Sequence, residues 1–165
     1  MNFRKKETGF TIIEVVLVLA IAGLIFLMVF IALPALQRSQ RDTQRKNDLS
    51  RLTNALQSYT QNNRGNLPTS DTWGSCDDAN PPVCTGFLKS YVATNGDNFT
   101  DPSGTPYILK ESATPSTLSW DDKNPTIYIT RSAVCKDESV KTDQGARKIA
   151  FQMKLEGSGT LCQSN

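Results

Sequence analysis

Gly9-Phe10-Thr11-Ile12-Ile13-Glu14, running on through Val15-Val16-Leu17-Val18-Leu19-Ala20-Ile21-Ala22-Gly23 to Leu36, is the stretch on which the fold turns. From Val15 to Leu36 no side chain is charged or polar, and at about 1.5 Å per residue the run spans the roughly 30 Å hydrocarbon core of a bilayer once. Two residues are odd for a plain anchor. Glu14 stands one turn inside the apolar segment, where burying an unpaired carboxylate costs about 2.5–3.5 kcal/mol, so it requires a partner or a task. Pro34 removes one helical hydrogen bond and crowds the carbonyl near Phe30, which bends or locally melts a helix.

Upstream, Arg4, Lys5 and Lys6 face only Glu7, so the leader carries the whole formal charge of +2 and the remainder is neutral. The positive-inside tendency then keeps the N-terminus cytoplasmic and sends the rest of the chain outward. A secretory signal peptide has its small-residue cleavage site after the apolar run, whereas Gly9 precedes it, so a cut is expected before the helix. A neutral body argues against nucleic acid as the main partner, since phosphate binding needs clustered Lys and Arg. The chain has no histidine, which removes the Ser/His and Cys/His triads and the commonest general base. No catalytic residue, cofactor or metal site is expected, and the chain is not read as an enzyme.

The segment Lys6-Glu7-Thr8-Gly9-Phe10-Thr11-Ile12-Ile13-Glu14 and the apolar run behind it closely resemble the class III signal of type IV prepilins and pseudopilins. The resemblance implies that a prepilin peptidase cuts between Gly9 and Phe10 and N-methylates the new terminal Phe10. It also implies that the Glu14 carboxylate neutralises the Phe10 ammonium of a neighbouring subunit inside a helical bundle, with the apolar residues Ile12 to Leu33 exchanging lipid for neighbouring helices. Paired charges attract strongly in low dielectric while either alone is expensive. The family's helix-interrupting proline falls about where Ile31 stands, whereas here it is Pro34, which shifts the melted segment by about a turn.

Beyond Pro34 the chain turns polar, yet Leu49, Leu52, Leu56 and Tyr59 recur at three- and four-residue spacing, the apolar stripe of an amphipathic helix. Asn62, Asn63, Gly65 and Pro68 supply stop signals, so helix is expected from about Phe10 to Asn62. Charges from Arg38 to Lys46 read as a solvated juxtamembrane face. Leu67 to Pro106 is rich in Pro, Gly, Asn, Asp, Ser and Thr, a loop region with one short helix near Gly86 to Val92. Strands are expected at Tyr107–Leu109, Thr126–Arg131 and Lys148–Glu156, the last alternating Ile149, Phe151, Met153 and Leu155 with Ala150, Gln152 and Lys154. Turn-connected strands over a leucine stripe give an α+β fold with a small antiparallel sheet, similar to the ladle of pilins. The organisation expected is a leader over 1–9, a long helix over 10–62 with its membrane and polymerisation segment at about 12–36, and a globular head over 63–165.

Cys76, Cys84, Cys135 and Cys162 are even in number, lie beyond the apolar run and lack Cys-x-x-Cys spacing, so disulfides in an oxidising exterior are the natural reading. Four cysteines allow three connectivities. The pairing expected is Cys76 with Cys84, clipping a loop, and Cys135 with Cys162, enclosing the strand Lys148–Glu156; the second resembles the C-terminal disulfide region of many pilins. Asp97, Asn98, Asp101, Asp121 and Asp122 are oxygen ligands in loops, and Asp101-Pro-Ser-Gly-Thr-Pro-Tyr107 resembles a pseudopilin loop. They lack EF-hand register and read as turn residues. Asn98-Phe99-Thr100 fits a glycosylation acceptor by pattern alone. Trp73 and Trp120 are expected in the core.

The function expected is a structural subunit of a type IV pilus-like filament serving attachment, motility or DNA uptake. It is held in the cytoplasmic membrane by one span before assembly and is extracellular afterwards. The partners expected are copies of itself, the membrane, the prepilin peptidase and the assembly machinery. The alternative is a pseudopilin of a type II secretion or competence system. A membrane-anchored binding module or enzyme is the third reading.

Overall fold

The computed structural model describes residues 9–79, 82–94, 97–112, 118, 121 and 123–165. The leader residues Arg4, Lys5 and Lys6, together with Trp120 and Asp122, lie outside the described residues. The chain divides into two compact units, Met1–Gln37 and Arg38–Asn165.

One helix, α1 (Ile12–Asn62), starts in the first unit and ends in the second. In the first unit its apolar side chains have no protein to pack against: Leu19, Phe26 and Phe30 are all exposed. The helix is long and apolar enough to cross a membrane. α1 is continuous through Pro34, whose nitrogen donates no helical hydrogen bond. The helix stops where Arg64 and Gly65 take positive φ (57° and 81°) and the Gly65 N–H reaches the Thr60 carbonyl at 2.7 Å, a left-handed C-terminal turn.

In the second unit a four-stranded sheet has the order β1 (Ile108–Glu111), β2 (Thr126–Arg131), β5 (Ile149–Lys154), β6 (Thr160–Ser164), and a hairpin pairs β3 (Val134–Lys136) with β4 (Ser139–Lys141). The α+β class stands, but the sheet is mixed rather than wholly antiparallel, because β1 pairs with β2 in parallel, Ile108 opposite Thr126. Parallel neighbours need a crossover of roughly a dozen residues or more, and the connection between Glu111 and Thr126 is long enough to supply it.

Leu49, Leu52 and Leu56 are fully buried with Ile127, Ile129, Ile149, Phe151 and Met153, each such side chain contributing about 1.5–3 kcal/mol by its burial. The leucine stripe of α1 therefore meets one face of the sheet. A ring cluster closes one end: Trp73 meets Phe87 edge-on at 5.2 Å and Phe151 at 6.1 Å, and Tyr59 meets Phe87 at 5.6 Å. Where a short helix is expected, a π-helical turn spans Leu88–Val92.

The expectation that β5 is half-buried is incorrect. Ala150 and Gln152 are buried as fully as Ile149 and Phe151, because the β3–β4 hairpin covers the second face of the sheet. The Gln152 amide donates to the Glu138 carbonyl at 3.0 Å, and the Cys135–Cys162 disulfide ties the hairpin to β6.

Candidate functional site

Among the described residues two constellations can bear function, one in each unit. The first is the start of α1. Phe10 is 90 % exposed, and a Cβ added at Gly9 would meet nothing within 4 Å, so the chain's own folding places no demand for glycine there. Thr11 and Glu14 form a capping box: the Thr11 Oγ1 accepts the Glu14 N–H at 3.4 Å, while the Glu14 Oε2 accepts the Thr11 N–H at 2.8 Å and its hydroxyl at 2.7 Å. The T-x-x-E signal is present in the sequence, and it supplies the partner that Glu14 requires. The carboxylate thus lies over the positive end of the helix dipole, one residue from the Phe10 nitrogen that a cut after Gly9 turns into an amine.

The apolar face behind this cap, Ile12 through Leu36, exceeds the few hundred Å² that soluble monomers usually leave contiguous. Its chemistry suits lipid or other apolar helices.

The second constellation is a buried arginine hub in the Arg38–Asn165 unit. Arg45, 1 % exposed, grips Asp101 with two parallel bonds, Nε to Oδ1 at 2.7 Å and Nη2 to Oδ2 at 3.0 Å, and reaches Asp42 through Nη1 at 2.8 Å. Asp42 also accepts the backbone N–H groups of Glu156 and Gly157 at 3.0 and 2.8 Å. Glu156 collects Arg41 (Nε to Oε2 at 2.8 Å), Arg45 at 3.4 Å and Arg38 at 3.7 Å. Three arginines thus face three carboxylates. Burial works against the charge on Arg45, but its bonds to Asp101 and Asp42 outweigh this and hold it firmly protonated. The bond from Arg41 holds the Glu156 carboxyl below its usual range. Nearby, the Tyr107 hydroxyl donates to Asp48 at 2.9 Å, and burial raises the pKa of both groups.

Cys76 is joined to Cys84 and Cys135 to Cys162, with Cα–Cα distances of 3.9 and 5.6 Å. The calcium candidates are dispersed. Asp101 is committed to Arg45, Asp97 pairs with Arg51 at 3.2 Å, and Asp121 accepts from Asn124 and Lys123. Among the described residues no group of three potential ligands could hold a metal. In the glycosylation pattern Asn98 is exposed and Phe99 fully buried. Trp73 is buried, its indole N–H on Glu111 at 2.7 Å.

Sequence alone does not reveal the hub. Its partners lie 56 and 111 positions from Arg45, and the one cue available is that Asp42 and Arg45 share a helix face.

In comparison with known families, residues 4–30 fit the prokaryotic N-terminal methylation motif. No curated protein and no solved structure matches the chain.

Proposed function

From a chain that carries the class III N-terminal methylation signal of type IV pilins and pseudopilins, we propose a filament subunit made as a membrane-held precursor. The leader 1–9 is removed after Gly9 by a prepilin peptidase on the cytoplasmic side, and Phe10 becomes the N-methylated terminus. The first part of α1 holds the subunit in the cytoplasmic membrane, and 63–165 form the head on the outer side. Copies of the subunit then polymerise through the apolar half of α1 into a surface filament.

One observation carries the reading. Gly9-Phe10, the capped Glu14 and the exposed apolar half of α1 follow one another along the chain, the first just ahead of the helix. In the monomer Glu14 is satisfied by Thr11. On assembly its second carboxylate oxygen, or the whole group, meets a neighbour's Phe10 ammonium, an exchange of a dipolar partner for a cationic one that low dielectric favours. Glu14→Gln tests this step: the variant is cleaved and methylated normally but forms no filaments in cells that assemble the wild type. Filaments of ordinary length from the variant refute the role of the charge.

A second reading, a pseudopilin, rests on the same N-terminal segment, since that class shares the leader, Phe10 and Glu14. Long surface fibres containing this chain favour the first reading. A secretion defect on its deletion, without fibres, favours the second.

A further inference from the structure

Arg38, Arg41, Asp42 and Arg45 stand at i, i+3, i+4 and i+7, one face of α1, and that face continues into Leu49, Leu52 and Leu56. The buried stripe of the helix therefore changes character along its length, leucines toward the C-terminal end and an ion-pair hub toward Pro34. The hub's partners belong to two braced turns. In one, the Asp101 N–H donates to the Thr105 carbonyl and the Ser103 N–H to the Asp101 carboxylate; in the other, Leu155 N–H bonds to the Gly159 carbonyl between β5 and β6.

Four residues before Arg38, Pro34 leaves α1 one hydrogen bond short, so opening of the helix interior costs less there. We propose that the Arg38–Arg45 face is a clamp that stops opening at Pro34 from spreading along α1 into the Leu49–Leu56 segment. Unwinding past Arg38 has to separate Arg38 and Arg41 from Glu156, then Asp42 from the Glu156 and Gly157 amides, then Arg45 from Asp101. Each loss strands a charge that the next bond still holds in place.

Ion pairs suit this position better than leucines. Apolar side chains at 38, 41, 42 and 45 would prolong the Val15–Leu36 run well beyond a bilayer's thickness and let the span slide. Arg45 is committed to Asp101 and Asp42, and Arg41 to Glu156, rather than left for lipid phosphate, which separates a clamp from a headgroup site. The inference needs only the helix and the hub, and stands or falls apart from the filament reading.

The test is hydrogen exchange by mass spectrometry on the full chain in phospholipid nanodiscs, following peptides over 38–47, 48–58 and β5. Glu156→Gln is expected to speed exchange over 38–47 at least tenfold while 48–58 and β5 keep their wild-type rates. Adding Pro34→Ala, which restores the missing donor, is expected to return 38–47 to slow exchange. If Glu156→Gln also loosens β5, Arg41→Gln, which leaves the Arg45–Asp101 pair intact, replaces it and is read in the same way. Unchanged exchange over 38–47, or an acceleration that Pro34→Ala does not reverse, overturns the clamp.

Discussion

The Asp42 carboxylate accepts the Gly157 N–H at 2.8 Å across 115 positions of sequence, joining the helix to the tight turn that connects β5 and β6. A Cβ at Gly157 would sit 2.9 Å from that same carboxylate oxygen. Gly157→Ala is therefore expected to destabilise the fold by about 1–3 kcal/mol through overpacking. Asp42→Ala, which strips Arg45 of a partner and orphans two backbone donors, is expected to cost more, about 3–5 kcal/mol. Urea unfolding of the full chain in detergent, with disulfides intact, measures both, and a reversed order contradicts the hub's geometry.

Stability is expected to fall with acid. The folded pKa of Glu156 is lowered by Arg41, and that of Glu111 is lowered despite its burial, by Arg131 and Trp73. A carboxylate with a depressed folded pKa contributes stability that is fully present above its unfolded pKa, about 4.3, and is lost as pH falls through the folded value. Asp48, raised by burial, acts in the opposite sense and offsets part of this loss. Thermal unfolding from pH 6 to pH 3 is expected to show a decline that Glu156→Gln flattens; an identical slope in the variant removes Glu156 from the account.

Gly74 is the least replaceable residue in the loop region. Its φ is +77°, and an added Cβ would lie 2.0 Å from the Thr85 carbonyl oxygen, in the ladder that the Cys76–Cys84 disulfide closes. Gly74→Ala is expected to cost about 2–4 kcal/mol, combining left-handed backbone strain with a backbone clash. Gly104→Ala, with a positive φ but open space around it, isolates the first of these and is expected to cost about 1–2 kcal/mol.

Opening the Cys135–Cys162 bridge with a double serine substitution is expected to destabilise by roughly 3.5 kcal/mol from loop entropy. The same change releases the hairpin from β6, so Gln152, buried beneath it, gains exchange with solvent. Unchanged protection at Gln152 would mean that the hairpin holds by packing alone.

Much of the fold is legible because local pattern and burial coincide. Leu49, Leu52 and Leu56 repeat at the helical period, Asn63 and Gly65 supply the stop, and Ile127 and Ile129 alternate along β2. What escapes a linear reading depends on partners far away in sequence. β3, β4 and β6 are short and polar, and only the Cys135–Cys162 bridge and the cover over Gln152 make them strands of consequence. The parallel pairing of β1 with β2 follows from a connection whose path no periodicity reveals. In the candidate site, Gly9, Phe10 and Glu14 are adjacent and so readable, whereas Arg45 looks like one more solvated charge until Asp101 and Glu156 are brought to it.

The account rests on a cut between Gly9 and Phe10, and intact mass with N-terminal sequencing tests it most directly, on protein recovered from cells that retain their maturation machinery, wild type beside Gly9→Leu. Because nothing in the structure crowds Gly9, a changed outcome in the variant reports on processing rather than on folding. The prediction is an N-methylated Phe10 terminus in the wild type that is lost in the variant; a wild-type chain that still begins at Met1, or one cut beyond Ala32, contradicts it.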